Sequence, residues 1–122
     1  MGRAKPFDQA MMMLVSSEQF LLQVKDIKRL TRQEEQKLAV QMLAGNAKAE
    51  QRLVQSYLPL VAATAQRVSK DGKPSLELIC RFVSVLEYEV KTFDFSQDCE
   101  PFSHRLSLAL KKATTAYIAD CP

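Results

Sequence analysis

Residues 75–95 read SLELICRFVSVLEYEVKTFDF, and this stretch decides the fold. Ser75 suits the N-cap of a helix, where its hydroxyl accepts from an unpaired backbone N–H. Leu76, Ile79, Phe82, Val83, Leu86 and Val90, then Phe93, recur at spacings of three and four, which puts them on one broad helix face. Glu77, Arg81, Glu87 and Lys91 fall mostly on the opposite face. Phe93-Asp94-Phe95 leaves the helix with two aromatics around an acid, ahead of a polar stretch. The pattern predicts a central helix that packs by one face and offers the other to a partner.

Working outward, loops bound this helix on both sides. Residues 69–74 (SKDGKP) carry Asp-Gly and Pro, which are turn signals. Residues 96–101 form the second loop. Beyond it, Ser103 is placed to cap a last helix over about 104–119, with Leu106, Leu110, Ala113 and Tyr117 as its buried stripe. Upstream, residues 62–68 are alanine-rich and helix-favouring. Pro59 sits inside an otherwise continuous pattern that includes Leu53, Val54, Tyr57 and Leu58, so the helix must kink or restart there.

Asn46 is expected to cap the helix before that break, and Gly45 to end the preceding one in a left-handed conformation. That preceding helix opens with Thr31-Arg32-Gln33-Glu34, a capping box, and carries Leu38, Met42 and Leu43 as its stripe. Ser16 or Ser17 caps a segment whose face is Phe20, Leu21, Val24 and Ile27. Before it, Asp8 caps a run holding Met11, Met12, Met13, Leu14 and Val15, in which three methionines cover most directions around a helix. The chain therefore reads as all-α, a compact multi-helix bundle of about five to six helices. Residues 1–29 are an N-terminal helical extension, and residues 30–122 the main domain.

The 122 residues fit one domain, and 47% hydrophobic with 25% charged residues permit a packed core. No run of about 18 apolar residues occurs, so no membrane helix is expected. Basic residues precede the short apolar patch 10–15, but the patch is shorter than a signal-peptide core, so a cytoplasmic protein is expected. Cys80, Cys99 and Cys121 are odd in number, widely spaced and free of any CxxC pair, which suits reduced thiols. The net charge of +3 permits nucleic-acid contact without arguing for it.

Catalytic signals are weak. His104 stands alone in the first turn of its helix, so no metal site or nucleophile–base dyad assembles around it from sequence. Glu87 and Glu89 diverge on a helix at a spacing of two. No glycine-rich phosphate loop occurs. A non-enzymatic chain without cofactor or metal is expected. The charges are uneven. Five acids (Glu87, Glu89, Asp94, Asp98, Glu100) stand against Lys91, whereas the last helix carries Arg105, Lys111 and Lys112 ahead of Asp120. This reads as a basic helix able to approach phosphates beside an acidic turn that they would repel.

The order of these pieces resembles the sigma factors of bacterial RNA polymerase, the sigma-70 family, over the part called regions 1.2 and 2. Leu30-Thr31-Arg32-Gln33-Glu34-Glu35 looks like the family's opening capping box, and Gly45-Asn46-Ala47-Lys48-Ala49 its short connection. Residues 52–61 (RLVQSYLPLV) are similar to its region 2.1 helix. Leu76-Glu77-Leu78-Ile79 resembles the start of its region 2.2 helix, and Phe93-Asp94-Phe95 the end. Phe102-Ser103 and Tyr117-Ile118-Ala119-Asp120 correspond to the borders of its DNA-contacting helix. The resemblance implies a sigma region 2-like bundle that binds the β′ clamp helices of core RNA polymerase through Leu76, Glu77, Ile79, Arg81, Glu87, Phe93 and Asp94. It implies contact with the backbone of promoter −10 DNA through Arg105, Lys111 and Lys112.

The chain departs from the family where it places a polar Gln-Glu-Gly run, since Cys80-Arg81-Phe82 stands there. Where the family places a tyrosine and two tryptophans for base stacking, Arg105, Leu108 and Ala109 stand, and the chain has no Trp. Two roles follow as expectations: a sigma-like initiation protein, or an interaction module with the same fold that does not melt DNA. The second role would make it a co-sigma partnered by a second sigma-like subunit, or a decoy for an anti-sigma factor. A helical bundle of unrelated function is the third reading of the same residues.

Overall fold

The structure, a computed structural model, describes residues 16–97 and 99–120, with Asp120 described in its backbone alone. The methionine-rich segment capped by Asp8, Asp98 and Cys121 lie outside the described residues. Among the described residues six α-helices follow one another: α1 Ser17–Val24, α2 Arg32–Leu43, α3 Ala47–Ser56, α4 Leu58–Val68, α5 Leu76–Thr92 and α6 Phe102–Asp120, with a 3₁₀ turn at Lys70–Gly72. The described residues contain no strand, and the architecture is an all-α bundle.

Local chemistry sets most of the helix ends. Ser16 closes a capping box with Gln19, and Thr31 closes one with Glu34, whose carboxylate accepts from the Thr31 N–H at 2.8 Å. Gly45, at φ 98°, ends α2 in a Schellman arrangement: its N–H donates to Met42 O, and the Asn46 N–H donates to Gln41 O. Asn46 at once caps α3, accepting from the amides of Lys48 and Ala49. Pro59 falls in the first turn of α4, where its missing N–H has no helical partner to lose, so the chain restarts there rather than bending.

The last helix begins two residues earlier than the sequence reading placed it. α6 begins at Phe102, and Pro101 O accepts from the amides of His104 and Arg105, so Ser103 lies inside the first turn instead of capping it.

α5 is the axis of the bundle. It packs against α3, α4 and α6, while α2 lies on α3 and α1 on α4. Ile79, Phe82, Val83, Leu86 and Val90 are fully buried, as the periodicity requires, and Leu78 joins them. Leu76, assigned to the same face, is only half-buried. Phe20 and Val24 bring α1 into the same buried cluster as α5, so residues 17–24 pack with the helices that follow residue 30. In α2, Leu38 and Met42 pack on the core but Leu43, placed with them by sequence, is 81% exposed. Its helix ends there, and among the described residues no element covers the last turn on that side.

At the far end of α5 four rings form one cluster. Phe102 meets Tyr57 at 4.8 Å and 64°, Phe93 at 5.2 Å and 72°, and Phe95 at 5.2 Å and 30°. Phe93-Asp94-Phe95 is thus a structural corner. Its two rings turn inward, and Asp94 stays outside.

Candidate functional site: the outer faces of α5 and α6

The outer stripe of α5 runs through Glu77, Arg81, Ser84, Tyr88 and Lys91 at helical spacing. Arg81 reaches Glu77 at 3.9 Å, and its guanidinium lies over the Tyr117 ring at 5.2 Å. Lys91 pairs with Glu50 of α3 at 3.7 Å. Tyr88 is 64% exposed toward the far end of this stripe. An exposed, rigid aromatic on a polar helix face is the side-chain type that anchors interfaces. Its position on the solvent face was readable from the same periodicity that placed Glu77 and Arg81, but sequence reasoning passed over it.

The seven residues expected to bind a partner do not form one patch. Glu77 and Arg81 share the outer stripe, with Leu76 and Glu87 half-buried at its margins. Ile79 is fully buried and presents nothing to a partner. Phe93 sits in the aromatic cluster, and Asp94 lies beyond the far end of α5, about 25 Å from Glu77 at about 1.5 Å per helical residue. The Asp94 carboxylate accepts from the Ser96 hydroxyl at 2.6 Å and the Ser96 N–H at 3.0 Å, which hold it below the usual carboxylate range. It ties its own loop.

The three expected phosphate contacts also separate. Arg105 Nε lies 3.4 Å from Glu89 Oε1, and Arg105 Nη1 lies 3.7 Å from Glu100. The Glu89 side chain is only 14% exposed, and its Oε1 has no hydrogen bond, so Arg105 is its counter-charge. Glu100 also meets His104 at 3.1 Å. The acidic turn and the start of the basic helix, read from sequence as opposed surfaces, neutralise each other instead. Lys111 lines a cleft between α4 and α6 with Arg67, which sequence reasoning had not singled out. The two are 44 positions apart, so only the packing of α4 beside α6 brings them together. Lys112 is exposed and does not line that cleft.

Tyr57 links the first helices to the aromatic cluster. Its hydroxyl donates to Glu35 of α2, and Arg29 lies over its ring at 5.8 Å. Burial, with the Glu35 carboxylate as acceptor, pushes the phenol well above its ordinary value near 10. The folded state therefore keeps this proton where the unfolded chain has lost it, and stability falls as pH rises past about 10. Tyr57→Phe removes that dependence. Its urea midpoint falls less between about pH 9 and about pH 11 than the wild-type midpoint does, and equal falls would show that Tyr57 does not carry the linkage. At neutral pH the same change costs about 1–2 kcal/mol, because Glu35 loses its donor.

Cys80 is half-buried and burial raises its thiol pKa, while Cys99 is exposed; neither is in a disulfide. Among the described residues no three His, Cys, Asp or Glu side chains converge as a metal site, and no helix is long and apolar enough to cross a membrane. No protein-family model matches the chain.

Proposed function

We propose that the chain is a sigma-like module of transcription initiation that docks on the β′ clamp helices of core RNA polymerase through the outer stripe of α5 and contacts promoter DNA along α6. The observation that carries this reading is the division of α5 into a fully buried face and a polar stripe with an exposed Tyr88 toward its far end. A helical ridge with an exposed aromatic on it suits a partner helix pair. The local signals that carry the resemblance also support it: the Thr31 box, the Gly45–Asn46 connection, the Pro59 restart and the Phe93-Asp94-Phe95 corner each take a definite place in the helix order. Contact with polymerase would place the protein in the cytoplasm, and the role is binding rather than catalysis.

A second reading, a module that docks without opening DNA, is favoured by α6. Strand opening needs flat rings on which an unstacked base can rest. Phe102 is buried, Tyr117 is half-buried under Arg81, and the positions expected for aromatics hold an ion-paired Arg105, Leu108 and Ala109. Such a module would work beside a second sigma-like subunit or occupy an anti-sigma factor.

Retention of core polymerase by the immobilised chain, at low and at physiological salt, tests the docking. Wild type retains it at both. Tyr88→Glu weakens retention at least thirtyfold, the loss of a hot spot of about 2 kcal/mol, while Lys37→Glu on α2 leaves it unchanged. No retention by wild type at either salt would remove the proposal. Permanganate reactivity of promoter thymines with polymerase and this chain alone then separates the two readings, since strong reactivity excludes the second.

A further inference from the structure

α4 and α6 lie side by side in the same direction, and the seam between them is continuous. Pro59 and Leu60 lie against Ser103 and Ser107 at one end, with Arg29 beside them. Arg67 accompanies Lys111 in the middle. At the other end Val68 and the 69–75 loop meet Tyr117 and Ile118. Neighbouring stretches share His104 and Ser107, then Val68 and Thr114, so the three are one groove. Along α6, from Ser103 to Ile118, it extends about 22 Å at about 1.5 Å per residue.

Five lysine and arginine side chains line this groove: Arg29, Arg67, Lys111, Lys70 and Lys73. Among the described residues no carboxylate lines it. Asp71, in the same turn as the two lysines, is absent from the lining, and Glu100 is held by His104 and Arg105. The hydroxyl of Ser107 adds a donor of the kind that phosphate oxygens accept, whereas those of Ser69 and Thr115 donate to Ala65 O and Lys111 O. No open aromatic face lines the loop end: the Tyr117 ring is covered by Arg81, and its hydroxyl is 3.1 Å from that of Ser75. The lining suits a phosphate backbone and offers little to an unstacked base.

We propose that Lys70 and Lys73 of the 69–75 loop are a second phosphate anchor, which extends the DNA-contacting face of α6 into a sequence-independent track for the backbone of duplex DNA. This rests on the DNA-contacting half of the reading above and not on polymerase docking. Measured along the duplex axis, about 22 Å of groove spans about six base-pair steps at about 3.4 Å of rise each. An anchor at the far end of the groove supplies affinity that base stacking does not.

The test is fluorescence anisotropy of a labelled duplex of arbitrary sequence with the full chain, without polymerase, across a salt series. Each phosphate contact contributes about 0.9 to the slope of log K against log salt. Lys70→Ala/Lys73→Ala therefore makes the slope shallower by nearly two and lowers affinity at least tenfold at fixed low salt, while Lys37→Ala/Lys48→Ala, outside the groove, changes neither. Circular dichroism melts of all variants exclude misfolding as the cause. A wild-type slope in the loop variant, with a shallower slope in Lys111→Ala, overturns the loop anchor and leaves the α6 contact standing. No duplex binding by wild type at low salt overturns both. Tighter binding to a single strand of the same sequence than to the duplex overturns the assignment to duplex.

Discussion

Phe102→Ala lowers the stability of the domain by about 3–5 kcal/mol, the range for removing a large aromatic from a packed site. Phe102 is 2% exposed at the first residue of α6, and it touches Tyr57 from the α3–α4 junction and both rings of the Phe93–Phe95 corner. Those neighbours are rigid rings, each held from another direction. Phe93 and Phe95 pack on each other at 4.9 Å, and Tyr57 is tied to Glu35. The gap left by alanine closes poorly, so the cavity cost adds to the lost burial. A single domain has about 5–15 kcal/mol in total, so this one change removes a large part of it. The measurement is urea unfolding followed by far-UV circular dichroism: the midpoint drops and the slope stays constant. Phe102→Leu, which refills part of the volume, recovers more than half of the loss. A fall below about 1 kcal/mol for alanine would mean that the four rings do not act as one packed cluster.

What the sequence disclosed depends on how far apart the causes lie. Thr31, Gly45, Asn46 and Pro59 were legible because each acts on backbone groups within four residues of itself. The buried face of α5 was legible because a helix repeats its own geometry, so Ile79, Phe82 and Leu86 had to share a side. The same rule made Ile79 unsuitable as a contact residue, and assigning it that role by resemblance overrode its own periodicity. Leu43 failed for a different reason. Apolar spacing proposes a face, but which turns are covered is decided by where the neighbouring helix stops, and that is a tertiary fact. Phe93 was expected to contact a partner by resemblance, yet the corner directs it toward Phe102, nine positions on. The groove was beyond sequence reading altogether. Arg67 and Lys111 sit on separate helices, and no local pattern announces that their helices lie side by side.

Arg105 is where these two kinds of knowledge part most sharply, and its substitution separates them. Read along the chain, it is the first cation of a basic helix and a natural phosphate contact. In the fold it is the counter-charge of a largely buried Glu89 and of Glu100. Arg105→Glu sets a third carboxylate beside those two, and its cost is about 2–3 kcal/mol. That is below the usual penalty for breaking a buried pair, because Arg105 itself is half-exposed and water screens part of the charge. Adding Glu89→Gln in the same chain recovers most of that loss, since the uncharged amide no longer requires a counter-ion. Lys111→Glu shows the opposite pattern. It stands exposed in the groove with Arg67, so it leaves the urea midpoint nearly unchanged and weakens duplex binding at least tenfold. The two variants therefore exchange their phenotypes. Arg105 belongs to the α5–α6 joint, and Lys111 to the surface proposed to face nucleic acid. If Arg105→Ala weakens DNA binding as much as Lys111→Ala while the melting temperature stays put, Arg105 leaves Glu89 for a phosphate in the complex, and the ion pair seen in the fold is a resting arrangement that binding exchanges.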